Sequence, residues 1–383
     1  MDTILLIPID IINQHINNYD ILALRDKIYF ISTCHYFYKY LRIFSVRSKT
    51  INGEIIQQDK FRNVRDLNIA GNYFVDKILH LSNLSKLDIS GVAPGCIIGQ
   101  DTIDKMVNLV YLNLNYNHKI ENILHLTSLT ILRARGYCEI KNIDTLTNIT
   151  SLDISMNKNI TNIFSLRQIL ELNIFCTNIQ QNNINNLTNL HTLTVSEHIY
   201  DIRHFTNLTK LNIKSNINQN NINNLLKLKQ LDIANNTNIN NIAHLTNLTN
   251  LTYLNIIHCN IKQDSINTLI NLSSLYMIGN RNIYNISHLT NLTILNIAQT
   301  NIKQNSIDHL HNLTYFNTNN NITCITHLTN LTTLFACGIN CNIDQDNIIN
   351  LYSLKRIYIS ENKKITSVRH LTKLKYYNGM KIK

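Results

Sequence analysis

One ten-residue phrase recurs along this chain and constrains its fold more than any other feature. Its clearest copy runs from His288 to Ile297 and reads His-Leu-Thr-Asn-Leu-Thr-Ile-Leu-Asn-Ile. Partial copies lie at 244–250, 327–334 and 370–374. The shared frame is L-x-x-L-x-x-L-x-I followed by a short turn. Such repetition predicts a stack of similar turns, each contacting only its neighbours, rather than one globular core.

The period follows from the apolar residue that opens each L-x-I strand, which we call the opener. Successive openers lie about 20 residues apart, close to the short end of the roughly 20–29 residues typical of leucine-rich repeats. The chain therefore resembles the leucine-rich-repeat family. The openers are Leu67, Leu87, Leu112, Leu132, Leu152, Leu172, Leu193, Leu211, Leu231, Leu254, Leu275, Leu295, Phe316, Leu334, Ile357 and Tyr377.

This resemblance predicts an α/β solenoid, a leucine-rich-repeat horseshoe with a curved parallel sheet. We expect it to span residues 63–383 in about 15–16 repeats. Two turn types alternate in the second half, one represented by residues 280–289 and the other by residues 300–310. The second type has room for a helical turn, whereas the first is shorter and favours an extended or 3₁₀ conformation.

Residues 1–45 do not follow the repeat, and their apolar residues recur at helical spacing. The segments Ile7-Pro8-Ile9-Asp10-Ile11-Ile12, Asp20-Ile21-Leu22-Ala23-Leu24 and Ser32-Thr33-Cys34-His35-Tyr36-Phe37-Tyr38 resemble an F-box, although Ile7 replaces the usual Leu and the gap from Pro8 to Asp20 is short. The resemblance implies a small all-α unit, joined to the repeats by a linker at 46–62. Its implied adaptor-binding residues are Ile7, Pro8, Ile11, Ile12, Leu22 and Phe37.

The concave face of the predicted sheet would carry the residue that follows each opener. Most of these residues are Asn or Asp, but aromatic side chains accumulate toward the C-terminal end. Exposed aromatic residues are favoured anchors in protein interfaces. An alternative is that the Asn residues form a structural ladder and the aromatic rings pack on their neighbours. The predicted partner-binding residues are Tyr253, Tyr276, Tyr315, Phe335 and Tyr358.

Histidine recurs before the leucine of many turns, but most of these residues are two turns apart, near 10 Å, and cannot share a metal ion. We expect a turn-stabilising hydrogen bond at each one and no metal site. The chain lacks the G-x-S-x-G, GxGxxG, P-loop and HExxH motifs, so we expect no catalytic residues, no cofactor and no enzyme activity. The histidines are His80, His125, His204, His244, His288, His309, His327 and His370.

The formal net charge is +11, although only 15% of residues are charged. The densest basic cluster lies between Lys355 and Lys383, and a specific anionic ligand there is an alternative to a solvated basic end. The other lysines and arginines are scattered, which favours a protein partner over a nucleic acid.

The sequence contains no CxxC pair among its 8 cysteines, no apolar run long enough for a membrane helix, and no basic, apolar signal sequence at its start. We therefore expect free thiols and an intracellular, cytoplasmic location, or the host cytoplasm if the source is viral. Asn-x-Ser/Thr triplets such as those at Asn291 and Asn330 follow from the repeat frame, so we expect them to be structural.

These patterns together predict a protein–protein interaction module. The F-box resemblance implies a substrate-recognition adaptor of a cullin-type ubiquitin ligase, with a Skp-type adaptor and cullin complex as partners and an unknown substrate protein on the concave face. In an alternative, residues 1–45 only cap the solenoid and there is no ubiquitin link, since the ends of a solenoid need caps. The basic C-terminal end, binding an anionic ligand, is the third possibility.

Overall fold

The computed structural model describes residues 45–48, 50–91, 96–196, 198–243 and 250–382. The chain forms two compact units, the first ending at Asn189 and the second beginning at Leu190. Each unit is a parallel-sheet solenoid with few helices. The F-box-like residues, from Ile7 to Phe37, lie outside the described residues.

The first unit is built on seven described strands, and each pairs in parallel with the next. Short helical turns lie between some of them: α1 (Gly53–Ile56), α2 (Gln100–Ile103), α3 (Gln181–Ile184) and a 3₁₀ turn at Asp59–Phe61. The strands are β1 (Ser45–Arg47), β2 (Asp66–Asn68), β3 (Lys86–Asp88), β4 (Tyr111–Asn113), β5 (Ile131–Arg133), β6 (Ser151–Asp153) and β7 (Glu171–Asn173).

The second unit repeats this plan and closes with an antiparallel pair, in which β18 runs against β17. Its helical turns are α4 (Gln345–Ile348) and 3₁₀ turns at Gln219–Asn221, Gln263–Ser265 and Gln304–Ser306. Its strands are β8 (Thr192–Val195), β9 (Lys210–Ile213), β10 (Gln230–Asp232), β11 (Tyr253–Asn255), β12 (Ser274–Tyr276), β13 (Ile294–Asn296), β14 (Tyr315–Asn317), β15 (Thr333–Phe335), β16 (Arg356–Tyr358), β17 (Tyr376–Tyr377) and β18 (Met380–Lys381).

The strand register confirms the predicted repeat frame. Within each unit the opener of one strand lies directly opposite the opener of the next, as for Leu254 and Leu275. The central openers are fully buried, Leu295 and Phe316 among them. The core is therefore a continuous column of Leu and Ile to which each turn adds one layer, and burial of these side chains supplies most of the stabilisation.

The structure differs from the predicted linker at 46–62. Strand β1 pairs in parallel with β2, with Val46 opposite the opener Leu67. The following residues Ile51, Ile56 and Phe61 are buried. This stretch thus forms one more turn of the stack. Its opener is Val rather than Leu, so it falls outside the L-x-I pattern that the sequence analysis counted.

Side-chain amides tie each turn to the next. In the second unit Gln304 Nε2 donates to the carbonyl of Cys324 at 2.9 Å, and its Oε1 accepts the backbone N–H groups of Thr323 and Cys324, both at 3.0 Å. These backbone groups lie in a turn without regular structure and need a partner when they leave water. Equivalent clamps are made by Gln100, Gln263 and Gln345.

Asparagine side chains also join neighbouring turns, but inside the stack. Asn236 is fully buried, donates to the carbonyl of Ile213 at 3.1 Å and accepts the N–H of Ile217 at 3.1 Å. Asn319 donates to the carbonyl of Ile302 at 3.0 Å. The enrichment in asparagine, about one residue in six, therefore has a structural use in this chain.

We predict that Gln304→Ala lowers the free energy of unfolding by about 1 kcal/mol, because it removes the hydrogen bonds that join this turn to the exposed backbone of the next. The matched control is Asn305→Ala, an exposed residue of the same 3₁₀ turn, which should change stability by less than about 0.5 kcal/mol. Urea denaturation followed by circular dichroism measures both. Equal effects of the two substitutions would show that the glutamine clamp does not stabilise the stack.

Candidate functional site

The side chains immediately before and after each opener form one surface, which we call the strand face. It corresponds to the predicted concave face. In four strands of the second unit, β8, β11, β12 and β14, both flanking residues are half-buried while the opener between them is fully buried. The strand face is thus the surface where regular backbone geometry holds side chains at fixed spacing and leaves them accessible.

Most Asn and Asp residues after the opener have a local structural role. Asn255 Oδ1 accepts the N–H of Ile257 at 3.2 Å, two residues further on, and Asn296 does the same for Ala298 at 3.3 Å. This bond turns the chain out of the strand. The structural interpretation of the Asn ladder therefore holds for these residues. The same bond is made by Asn68, Asp88, Asn113, Asp153, Asn173 and Asp232.

Three aromatic residues occupy this position in place of Asn or Asp: Tyr276, Phe335 and Tyr358. The rings of Phe335 and Tyr358 stack in parallel, with centroids 4.0 Å apart and an interplanar angle of 3°. Tyr315, from the position before its opener, adds a third ring 5.5 Å from Phe335. We call Tyr315, Phe335 and Tyr358 the aromatic cluster.

The remaining two predicted residues form a separate pair. The rings of Tyr253 and Tyr276 lie 5.7 Å apart on the neighbouring strands β11 and β12. Strand β13, which presents Ile294 and Asn296, separates this pair from Tyr315 on β14. All five predicted aromatic residues therefore lie on the strand face, in one group of three and one group of two.

The aromatic residues are only half-buried, and their surface is uncharged. Burial raises the pKa of Tyr253, Tyr276 and Tyr315 above the ordinary phenol value, so these rings stay neutral at physiological pH. Strands β11 to β15 contain no Asp, Glu, Lys or Arg. Neutral rings beside amides and hydroxyls can be desolvated at low cost, which is a property of binding surfaces.

The strand face of the first unit has a different character. Arg133 Nη2 donates to Ser151 Oγ at 2.9 Å, and Ser151 Oγ donates to Glu171 Oε2 at 2.6 Å. Just beyond the strand face, Arg135 Nε donates to Ser155 Oγ at 2.9 Å. These side chains already have partners within the surface. A ligand would have to replace such bonds, so the strand face of the second unit, with its aromatic residues, is the better candidate for a binding site.

Five of the eight histidines make the predicted hydrogen bond. His288 Nε2 donates to the carbonyl of Ile266 at 3.1 Å, one turn earlier, and His125 bonds Ile103 at 3.0 Å in the same way. The prediction is wrong for His204, whose buried Nε2 has no hydrogen-bond partner. His309 also differs, because it lies on an exposed turn and not on the short turn type. His244 lies outside the described residues. The other histidines with this bond are His80, His327 and His370.

The asparagines of the Asn-x-Thr triplets also bridge neighbouring turns. Asn291 Nδ2 donates to the carbonyl of Ile270 at 3.0 Å, Asn312 Nδ2 to Thr290 at 3.1 Å and Asn330 Nδ2 to His311 at 3.0 Å. The atom that would carry a glycan is therefore in use between turns, in agreement with the structural interpretation of these triplets.

A cavity of about 520 Å³ beside the aromatic cluster was not foreseen. It lies where the loop that leaves β14 is short: Ile322, the next inward-facing residue, is six positions after Phe316, whereas Ile283 is eight positions after Leu275. The spacing alone does not identify the cavity, since Leu193 and Leu211 are 18 residues apart just as Phe316 and Leu334 are. We call this cavity the short-repeat notch, and its exposed residues are Arg281, Gln299, Asn301, Asn320, Asn321 and Cys337.

Within the described ranges, no three His, Cys, Asp or Glu side chains are grouped so that they could hold a metal ion. No helix there is both long and apolar enough to cross a membrane. The seven described cysteines are free thiols. The basic residues near the C-terminus, such as Lys363 and Arg369, are exposed and spread over several turns. The absence of enzyme activity stays a prediction.

Comparison with known proteins gives the fold. Neither a family model nor a curated protein matches the chain. A leucine-rich-repeat protein from Leptospira interrogans matches at 20% identity with a TM-score of 0.54, over 86% of this chain and 99% of that one. The chain has the leucine-rich-repeat fold.

Two further solved structures match with lower TM-scores. The first is an internalin, InlF from Listeria monocytogenes, at 25% identity with a TM-score of 0.48, over 78% of this chain and 87% of that one. The second is the plant peptide hormone receptor RGFR1 in complex with RGF2, at 18% identity with a TM-score of 0.49, over 86% of this chain and 64% of that one.

We predict that the buried thiols react far more slowly than the exposed ones. Burial raises the pKa of Cys138 and of Cys259 to about 11, and the Sγ of Cys138 donates to the carbonyl of Leu114 at 2.9 Å. Below pH 9 these thiols therefore stay protonated, with roughly one in a hundred or fewer ionised, and only the thiolate is nucleophilic.

The measurement is alkylation of the native protein by iodoacetamide at about pH 8, followed by peptide mass spectrometry. Cys324 and Cys337, which are exposed, should be labelled first. The denatured chain serves as control, since all thiols should then react at similar rates. Labelling of Cys138 in the native state as fast as Cys337 would contradict the assignment.

Proposed function

We propose that this chain is a protein-interaction module that binds a partner polypeptide on the aromatic strand face of its second unit. The observation that carries the proposal is the parallel stack of Phe335 on Tyr358 at 4.0 Å. Eight other repeats place a turn-forming Asn or Asp at this position, so the fold does not require aromatic rings there. Their presence at adjacent strands is explained by contact with a ligand.

The chemistry of the surface supports a protein partner. Aromatic side chains lose little conformational entropy on binding and bury a large apolar area, which makes them frequent hot spots of interfaces. The rings are mutually packed, and so are already held in place before a partner arrives. Tyr276 lies two strands and Tyr253 three strands from Tyr315, so this pair extends the same surface.

We predict that Tyr315→Ala, Phe335→Ala and Tyr358→Ala combined weaken partner binding by at least about a hundredfold, since hot-spot truncations commonly cost 2 kcal/mol or more. The test is affinity capture with the full chain, then titration of a recovered partner by calorimetry. The control combines Tyr284→Ala and Tyr352→Ala, which remove exposed tyrosines outside the strand face. If the control weakens partner binding as much as the triple variant does, or the triple variant does not weaken it, the aromatic cluster is not the binding site.

The finer proposal concerns the N-terminal residues. We propose that the F-box-like residues bind a Skp-type adaptor, so that the chain presents its bound partner to a cullin-type ubiquitin ligase. The mechanism would be proximity, because the chain would hold the substrate near the ubiquitin-carrying enzyme. This role places the protein in the cytoplasm. The support is the sequence resemblance at Ile7 to Ile12 and at Leu22 and Phe37.

The adaptor proposal is tested in the full chain by Ile11→Asp with Ile12→Asp. Charges in an apolar contact should abolish recovery of the Skp-type adaptor and the cullin, while partner binding through the aromatic cluster continues. The control is Asn17→Asp with Asn18→Asp, which adds the same charge outside the matched residues. If the unsubstituted chain recovers neither protein, the N-terminal residues act in another way, such as capping the solenoid.

A further inference from the structure

We propose that the partner binds as an extended acidic peptide segment whose carboxylate enters the short-repeat notch at Arg281, while its apolar side chains cover the aromatic cluster. The proposal rests on the proposed function and specifies the chemistry of the ligand for that site. Three observations carry it: the origin of the notch, the charges around it, and its distance from the rings.

The notch arises from a change in repeat length. The loop leaving β14 is one residue shorter than the loop leaving β13 and two residues shorter than the loop leaving β12. Asn319 is nevertheless buried and donates to the carbonyl of Ile302 at 3.0 Å. The framework of the stack is thus intact, and only the outer part of the loop is missing. A cavity of about 520 Å³ remains between the loops that follow β13 and β15.

The shortened loop also changes one strand-face residue. In neighbouring repeats Asn255 and Asn296 use their Oδ1 atoms to bond the backbone two residues on. Among the described residues, Asn317 makes no bond of this kind, because the next two residues already turn into the stack. Its half-exposed side-chain amide lines the notch and is available to a ligand, as are the exposed Gln299 and Asn320.

The charge around the notch selects an acidic ligand. No Asp or Glu lines the notch, and Arg281 is its one charged residue. The described carboxylates form no ion pair with the exposed Arg281 guanidinium. A guanidinium surrounded by neutral amides is suited to bind a carboxylate through two parallel hydrogen bonds. At the other side of the aromatic cluster, Lys355 and Arg356 are exposed.

The position of the charges favours a peptide over a nucleic acid. Strands β12 to β15 present no basic residue, so the positive groups lie only at the two ends of the surface. A single-stranded nucleic acid carries a phosphate at every nucleotide and needs a basic groove along its whole path. A peptide can instead place one acid at Arg281, apolar residues in the middle, and a second acid near Arg356.

The distances set the length of the segment. Arg281 follows β12, and the stacked ring of Tyr358 lies on β16, four strands further along. At about 4.8 Å per strand this is roughly 19 Å, which an extended peptide covers in about six residues. Asn and Gln side chains in between can bond the main chain of the peptide, since each amide offers both a donor and an acceptor.

The test is selection from a phage-displayed library of random dodecapeptides on the full chain. The expected result is enrichment of peptides in which Asp or Glu lies about four to six residues from an aromatic or aliphatic residue. Repeating the selection on Arg281→Gln should remove the preference for the acid and keep the preference for the apolar residue. A selected peptide should bind Arg281→Gln about tenfold or more weakly than the unsubstituted chain, by fluorescence anisotropy.

The matched control is Lys303→Gln, which removes the same charge from an exposed residue just before the 3₁₀ turn Gln304–Ser306, and it should change peptide affinity less than about twofold. Acid preference that survives Arg281→Gln, or enriched peptides without acids, would overturn this inference and leave the aromatic face as the binding site. Failure to enrich any peptide, with tight binding of a dodecamer of thymidine instead, would overturn the inference and make a nucleic acid the ligand of this face.

Discussion

The fold depends on satisfying backbone polar groups in turns that are neither helix nor sheet. Most described repeats contribute only three or four residues to a strand, and some add a helical turn of similar length. The rest of their backbone lies in irregular structure, and burying an unpaired N–H or C=O costs more than one hydrogen bond contributes. Side-chain amides from neighbouring turns supply the missing partners. Gln304 does this on the outside of the stack and Asn236 on the inside.

This arrangement separates structural residues from candidate ligand-binding residues. The apolar column and the bridging amides form the framework, and both point into the stack or along it. The strand face contributes little to that framework beyond the Asn and Asp residues that begin each turn. A residue of the strand face that does not make this bond is therefore free of a structural requirement. Tyr276, Phe335, Tyr358 and Asn317 are such residues, and all four lie in the second unit.

The sequence alone predicted the parts of the fold that follow from the repeat period. The spacing of Leu and Ile gave the openers, and the strands pair opener to opener as expected. It also placed Tyr253, Tyr276, Tyr315, Phe335 and Tyr358 on one surface, since residues on either side of a buried strand residue share a face. The first turn was missed because its opener is Val46. The bridging glutamines were missed because Gln recurs three residues before a buried Ile only in some turns, outside the L-x-I strand frame.

The short-repeat notch shows why the rest of the site could not be derived from residue types. Arg281, Gln299 and Asn317 are unremarkable in sequence, because polar residues occur at similar places in every turn. Their significance comes from the loop that leaves β14, which is shorter than the loops that leave β12 and β13. In a solenoid the core tolerates such a change, provided that the buried asparagine still reaches its carbonyl, as Asn319 does. A change in loop length can therefore create a cavity without disturbing the stack, whereas a change in core composition would destabilise the stack itself.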